Sequence, residues 1–242
     1  MEAKLKVITI GDYNISILKN YFKDNENIEF LKLALDESIE NLNTDFSKRD
    51  IVFLRTNAEN LEKLLEVGKA LKEKKIITVT ILEEKLAIEN KEVLENSIDT
   101  IFPVNKKDDI ENLFLELIKM IYNIIFERCY INLDVEDVKY MLKDSGISVF
   151  GRLNINKTIS KEDIIKNINY PFYNKTLKDS KKILIFLHTL EGFILTEGEL
   201  ITDTLRNESG KTIEDVLFSI RMANRLKNRI ECSFIAGLFK ER

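Results

Sequence analysis

The first hundred residues alternate between short β-branched runs and stretches in which apolar residues recur at helical spacing, and this alternation constrains the fold more than any other feature. The β-branched runs cover residues 5–10, 28–35, 51–54, 76–82 and 98–104. The clearest helical stretch lies between the third and fourth runs, at Leu61, Leu64, Leu65, Gly68 and Leu71. Strands that alternate with helices are joined by crossovers, so the pattern predicts a mostly parallel sheet covered on both faces.

A long helix is predicted over residues 108–128, and it divides the chain. Towards its end it is apolar on nearly all sides, which is typical of a helix buried between two layers or two domains. We therefore expect an N-terminal domain over residues 1–107 and a C-terminal domain over residues 129–242. The second half predicts strands over 147–153, 183–189, 216–222 and 229–239, with helices beginning near Asp134 and over 161–169 and 197–206. Such a mixed order is typical of a small α+β domain.

Charge and composition exclude several classes of function. The formal net charge is -4, so the chain is a poor candidate for binding the phosphate backbone of nucleic acid. No apolar run reaches the length of about 20 residues needed to cross a bilayer, and the N-terminus lacks a signal-peptide pattern. We therefore expect a cytoplasmic protein without direct membrane insertion. His188 is the only histidine and lies in an apolar run, so no metal site is expected.

Residues 131–138 read Ile-Asn-Leu-Asp-Val-Glu-Asp-Val and follow the long helix. This Asn-x-Asp-x-x-Asp pattern resembles the synergy loop of FtsZ, the bacterial homologue of tubulin. Segments similar to the same family follow in order: Val149-Phe150-Gly151, Pro171-Phe172-Tyr173, Leu190-Glu191-Gly192 and the closing run 232–239. The resemblance implies a tubulin/FtsZ-like α/β fold, with a parallel-sheet Rossmann-type N-terminal domain, a central helix and an α+β C-terminal domain.

The turns that hold GTP in the FtsZ family are rich in glycine, because a backbone without side chains approaches phosphates closely and adopts positive φ freely. This chain instead reads Gly11-Asp12-Tyr13-Asn14 after the first strand and Thr56-Asn57-Ala58-Glu59-Asn60 after the third. The resemblance makes these turns, together with Asn105 beside the base pocket, degenerate versions of the family's cofactor positions. The degenerate positions are Gly11, Asp12, Asn14, Thr56, Asn57 and Asn105.

A carboxylate about 4 Å from a phosphate charge costs on the order of 4 kcal/mol at an effective dielectric constant of about 20. Asp12 and Glu59 therefore disfavour a triphosphate at the two turns, and Arg55 alone cannot replace a lined cradle. We expect no cofactor, with GTP as the cofactor only if the chain is a GTPase after all. Thr56 or Asn57 is expected to cap the helix that follows.

In the FtsZ family, the acids of the synergy loop reach across the filament interface and polarise the water that attacks the neighbouring subunit's GTP. The resemblance implies that Asp134 and Asp137 act catalytically in trans, if at all, and that Asn132 shapes the loop or contacts phosphate. The residues alone support a second interpretation, in which Asn132 or Asp134 is a helix N-cap and Asp137 favours the positive end of the first turn.

Three hypotheses follow. The first is a non-enzymatic FtsZ-like pseudo-subunit that binds no GTP and regulates or caps FtsZ-type filaments in cell division. The second is a divergent GTPase that binds GTP and polymerises with itself. The third is a structural module that self-assembles or binds another partner without nucleotide. The partner is accordingly an FtsZ-type filament subunit or a second copy of the chain.

Overall fold

A computed structural model describes residues 2–105, 109–156, 160–170, 177–178, 180–210 and 213–237. The predicted turn at Pro171-Phe172-Tyr173, the last two residues of the predicted final strand and the predicted boundary at residues 107–108 lie outside these ranges. The chain forms two compact units. Unit 1 comprises Met1–Glu116 and Leu142–Ile147, and unit 2 comprises Leu117–Met141 and Ser148–Arg242.

Unit 1 is built on a parallel sheet. Its strands are β1 (Leu5–Ile10), β2 (Ile28–Leu33), β3 (Ile51–Thr56), β4 (Ile77–Glu83) and β5 (Thr100–Val104). Their order is β2-β1-β3-β4-β5, and every neighbouring pair is parallel. The first two residues of β6 (Gly146–Ile155) extend the same sheet by pairing with β5. The parallel sheet predicted from the alternation is therefore confirmed.

The helices of unit 1 cover this sheet with apolar side chains. They are α1 (Ser16–Tyr21), α2 (Leu61–Glu73), α3 (Glu84–Glu89), α4 (Lys91–Ser97) and the first turns of α5 (Ile110–Phe126), with 3-10 turns at Ile39–Asn41 and Ala58–Asn60. Leu64 and Leu71 of α2 are fully buried, as the helical spacing predicts, and Val67 is fully buried as well. The sequence did not reveal α3 and α4, because each is only six or seven residues long, too short for apolar residues to recur at helical spacing.

Unit 2 is built on a mixed sheet. It contains the end of α5, α6 (Val135–Leu142) up to Met141, most of β6, α7 (Lys161–Asn167), β7 (Lys182–Leu190), α8 (Leu195–Ser209), β8 (Asp215–Ala223) and β9 (Ile230–Gly237). The strand order is β6-β9-β7-β8, with β9 antiparallel to both neighbours and β7 parallel to β8. This confirms the mixed α and β character expected for the second half.

One position in unit 2 requires glycine, because an aromatic ring of the neighbouring strand lies against its backbone. Gly151 of β6 lies opposite Phe234 of β9, and a Cβ atom at Gly151 would lie 2.0 Å from the Phe234 ring. The ring therefore packs directly on the backbone of β6, inside the apolar core of the unit. In the described part of the chain, no helix is long and apolar enough to cross a membrane.

Candidate functional site

The strand order of unit 1 creates a crevice at the carboxyl edge of its sheet. From β1 the chain crosses to β2 on one side, whereas from β3 it proceeds to β4 and β5 on the other. Loops that leave the carboxyl ends of two such strands diverge, and ligands in open α/β sheets bind at this point. We call the space between the loops of residues 11–14 and 55–60 the switch crevice. It contains five of the six predicted cofactor positions: Gly11, Asp12, Asn14, Thr56 and Asn57.

A stacked pair of side chains occupies the switch crevice. The guanidinium of Arg55 lies 4.1 Å from the centroid of the Tyr13 ring, and its Nη2 donates to the Tyr13 hydroxyl. Its Nη1 donates to the carbonyl of Ile81 at 2.7 Å and to that of Thr56 at 3.2 Å. Arg55 is only 5% exposed, and burial lowers the pKa of its guanidinium. Arg55 is thus a tethered cation: its two Nη atoms carry four N–H groups and make three hydrogen bonds to its own chain, whereas the buried Nε makes none.

Side chains also cover the one glycine that remains in the turns. Gly11 has a φ of 71°, which favours glycine, and its N–H donates to the carbonyl of Leu33 at 2.9 Å. A Cβ atom at Gly11 would lie 3.1 Å from Nδ2 of Asn60 and 3.4 Å from Cδ2 of Leu35. The amide of Asn60 and the side chain of Leu35 therefore lie close to the Cα atom of Gly11, where a side chain would otherwise project.

The two acids expected to oppose phosphate lie at the surface. The Asp12 side chain is 96% exposed and accepts from Nζ of Lys32 at 2.7 Å, an interaction that lowers the pKa of the carboxyl group. Glu59 is also exposed. The described side-chain contacts across the crevice are therefore made by Tyr13, Arg55 and Asn57, whereas Asp12 and Glu59 lie at the surface.

The predicted capping of the helix after β3 is wrong. Thr56 is the last residue of β3, and its hydroxyl donates to the carbonyl of Ile10 in the neighbouring strand at 3.1 Å. Asn57 makes no side-chain cap hydrogen bond, and its Nδ2 donates to the Asp12 carbonyl across the crevice at 3.3 Å. A 3-10 turn, Ala58–Asn60, leads into α2 instead. Asn14 lies in the opposite loop, where its Oδ1 accepts from the N–H of Ser16 at 2.9 Å.

The sixth predicted position, Asn105, lies elsewhere along the same edge. It lines a cavity of about 580 Å³ at the carboxyl ends of β4 and β5. The other lining residues are Glu83, Glu84, Lys85, Ile88 and Glu89. This cavity has three carboxylates and one ammonium group in its wall, so its charge does not favour an anionic ligand.

The loop before α6, in unit 2, is fastened to the edge strand of the mixed sheet. The N–H of Tyr130 donates to the carbonyl of Ile220 at 2.6 Å, and Ile131 forms an antiparallel bridge with Ile220. Asn132 is exposed, and its Oδ1 accepts from the N–H of Cys129 at 3.0 Å. Asn132 therefore closes a turn and does not cap a helix.

Asp134 and Asp137 form a reciprocal pair at the start of α6. The Asp137 N–H donates to Oδ1 of Asp134 at 2.9 Å, and the Asp134 N–H donates to Oδ2 of Asp137 at 3.0 Å. This is the geometry of a capping box, with acids at both positions. Both carboxylates also lie near the positive end of the helix dipole. Within the described residues, no group of three metal-ligating side chains occurs, here or elsewhere.

Solved structures share this fold. FtsZ from M. jannaschii, in a structure described as an empty dimer, matches with a TM-score of 0.72 and 15% identity over 98% of this chain and 88% of the other. A mutant of the same FtsZ matches with a TM-score of 0.69 and 14% identity, over 97% and 91% of the two chains. TubZ from Bacillus thuringiensis serovar israelensis, in a GTPγS-form protofilament, matches with a TM-score of 0.67 and 9% identity, over 96% and 86%.

No protein-family model matches the chain, and no curated protein matches it. At identities of 15% and below, the structural matches establish the fold alone. The sequence resemblance to FtsZ is therefore confirmed at the level of architecture: this chain has an FtsZ/tubulin-like α/β fold.

Proposed function

We propose that this chain is an FtsZ-like pseudo-subunit of the cytoplasm that acts without GTP and regulates or caps FtsZ-type filaments in cell division. One of its faces docks on a filament subunit through the loop of residues 129–137. Its opposite face, at the switch crevice, carries no nucleotide to recruit the next subunit. A chain with one functional face shortens filaments, because each copy that adds stops further growth at that end.

The side-chain contacts across the switch crevice are the observation that carries this proposal. Phosphate binding at a strand–loop–helix turn needs backbone N–H groups that aim at free space, and glycine supplies that space. In this chain, Asn60 and Leu35 cover Gly11, and Tyr13 is stacked on Arg55. A triphosphate would have to displace these side chains and break the hydrogen bonds of Arg55. These displacements are the reason that we propose a chain that acts without GTP.

The loop before α6 supports the docking half of the proposal. Tyr130, Asn132 and Asp134 are exposed in it, and Tyr130 and Ile131 make backbone hydrogen bonds to Ile220. The loop also carries two carboxylates in a fixed geometry. Structures of the same fold are described as an FtsZ dimer and as TubZ protofilaments, so this architecture assembles in both. The capping box explains the backbone contacts of Asp134 and Asp137, but each also presents negative charge outward.

Light scattering tests the proposal directly. Purified FtsZ is polymerised with GTP and Mg²⁺, and the purified chain is added at increasing molar ratio. We expect the scattering plateau to fall as the ratio rises, with a marked loss at equimolar protein. An unchanged plateau at equimolar protein rejects the pseudo-subunit. Scattering from the chain alone would instead favour self-assembly, with GTP dependence pointing to a GTPase and GTP independence to a structural module.

A matched pair of variants locates the docking face. Asp134→Asn with Asp137→Asn removes two charges but keeps amide oxygens that accept the same N–H groups. We expect this variant to lose its effect on the plateau. Glu199→Gln with Asp203→Asn makes the same charge change on exposed positions of α8 and should retain the effect. Equal activity of the two variants would contradict the assignment of the face.

A further inference from the structure

His188 is the only histidine of the chain, and it lies on β7 in the mixed sheet of unit 2. Histidine is the one residue type whose ordinary pKa lets its charge change between about pH 5 and pH 8. Side chains alternate along a strand, and the neighbouring Leu187 belongs to the apolar core that contains Ile201 of α8. His188 therefore lies on the opposite face of the sheet, away from that core.

Charged side chains from three neighbouring elements lie around His188. In the register of the sheet, Arg221 of β8 and Glu231 of β9 lie on either side of it, and Lys119 of α5 acts on the same ring. Burial lowers the pKa of the His188 ring most, Arg221 and Lys119 lower it further, and Glu231 raises it. Burial and two cations therefore outweigh one anion, and the folded chain disfavours the protonated ring.

One ring nitrogen of His188 would be left with an unsatisfied proton in the charged state. Its Nε2 atom is buried and has no hydrogen-bond partner among the described residues. Both nitrogens of a protonated imidazole are donors, so Nε2 would become a buried, charged N–H group without an acceptor. The protonated ring can gain an acceptor only if it moves or if its surroundings open.

The cation beside His188 attaches the end of α5 to the sheet. Nη1 of Arg221 donates to Oδ1 of Asn123 at 3.1 Å, and Nη2 pairs with the carboxylate of Glu127 at 2.9 Å. The preceding residue, Ile220, accepts from the N–H of Tyr130 in the loop that follows α5. A new positive charge at His188 would therefore arise directly beside the side chain that holds this part of unit 2 together.

We infer that His188 is an acid-sensitive switch, and that its protonation loosens the end of α5, residues 117–126, from the sheet of unit 2. Protonation adds a third positive charge next to Arg221 and Lys119, and it requires the region around Nε2 to open. Both effects act against the contacts between α5 and β8. The inference is independent of the proposed function, because every group in it belongs to unit 2 and no partner or nucleotide is involved.

The direction of the pH dependence follows from the lowered pKa of His188 in the folded chain. The unfolded chain takes up this proton near the ordinary pKa of histidine, about 6.5, and the folded chain takes it up only at lower pH. The free energy of unfolding therefore keeps its full value well above pH 6.5 and decreases as the pH falls below it. Carboxyl groups with ordinary pKa values of about 4 titrate mostly below this window.

Urea denaturation at pH 7.5 and pH 5.5 tests the pH dependence. We expect the unfolding equilibrium constant of the natural chain to rise at least about threefold at the lower pH, and that of His188→Gln to change less than about 1.5-fold. Glu231→Gln removes the anion beside His188 and should enlarge the response. Glu191→Gln makes the same change at an exposed position after β7 and should leave the response unaltered.

Two measurements on the natural chain make the result specific. An NMR titration of its single histidine should give a midpoint below pH 6.5, and it decides the question even if His188→Gln fails to fold. Amide hydrogen exchange, corrected for its intrinsic pH dependence, should show less protection at residues 117–126 at pH 5.5 and no change in α2. The inference is overturned by a midpoint at or above pH 6.5, by a full pH response in His188→Gln, or by equal loss of protection in α5 and α2.

Discussion

The switch crevice of unit 1 and the loop of residues 129–137 in unit 2 both contain polar residues where the sequence resembles FtsZ, but these residues make different contacts in the two regions. In the crevice, Arg55 and Asn57 turn inward and bind groups of their own chain. In the loop, Asp134 and Asp137 bind only backbone N–H groups and keep their charge at the surface. A residue of the expected type at a position that resembles FtsZ is therefore not enough to define a binding site. The neighbouring side chains decide whether its polar atoms are bonded within the chain or stay exposed at the surface.

Among these predictions, the largest effect on the free energy of unfolding is expected for a substitution of Arg55 in the switch crevice. Arg55→Ala leaves the carbonyls of Ile81 and Thr56 without their donor and opens a gap against Tyr13, so we expect a loss of about 3 kcal/mol in the free energy of unfolding. Urea denaturation measures it. Arg49→Ala, at an exposed position, should stay within about 0.5 kcal/mol of the natural chain. A loss no larger than that of Arg49→Ala would mean that the stack does not hold the crevice together.

Asp134 separates a capping role from a docking role. Asp134→Ala removes the N-cap acceptor and should cost about 1 kcal/mol of stability, whereas Asp134→Asn keeps an acceptor and should cost less than half as much. We expect both variants to weaken the effect on FtsZ scattering, because both remove the charge. If Asp134→Asn keeps its full effect on scattering, the carboxylate serves the helix alone.

Tyr13 tests the hydrogen bond within the stacked pair. Tyr13→Phe keeps the ring against Arg55 but removes the hydroxyl that accepts from Nη2, and we expect a loss of about 1 kcal/mol in urea denaturation. Tyr130→Phe removes an exposed hydroxyl and should be neutral by the same measurement. A neutral Tyr13→Phe would show that stacking alone, without the hydrogen bond, fixes the ring.

The strands of unit 1 were predictable because each is a short buried run of β-branched and apolar residues. The predicted β1 agrees with the observed Leu5–Ile10 at both ends. The prediction for β3 stopped at Leu54, because Arg55 and Thr56 interrupt the apolar pattern. The ladder continues nonetheless, with Arg55 opposite Thr9 and Thr56 opposite Ile10. Because β3 is two residues longer than predicted, Thr56 is the last residue of the strand and does not cap the following helix.

The contents of the crevice could not be predicted from local pattern. Tyr13 and Arg55 are 42 residues apart in sequence, and their contact depends on which strands are neighbours. The one indication in the sequence was an arginine directly after an apolar strand. A guanidinium buried there needs several acceptors, so Arg55 was expected to bind groups of its own chain. The capping box of α6 was predictable, since both of its members lie within four residues and helix-start geometry is local.

The central claim of the proposed function is that the chain acts without GTP, because side chains of its own contact one another across the switch crevice. Thermal unfolding with and without 1 mM Mg²⁺-GTP tests it most directly, since a ligand at about 100 times its Kd stabilises the folded state by about 2.7 kcal/mol. For a chain of this size, that energy corresponds to a rise in Tm of about 5–10 °C. We predict no shift in Tm. A rise of several degrees with GTP, absent with ATP, would contradict the account.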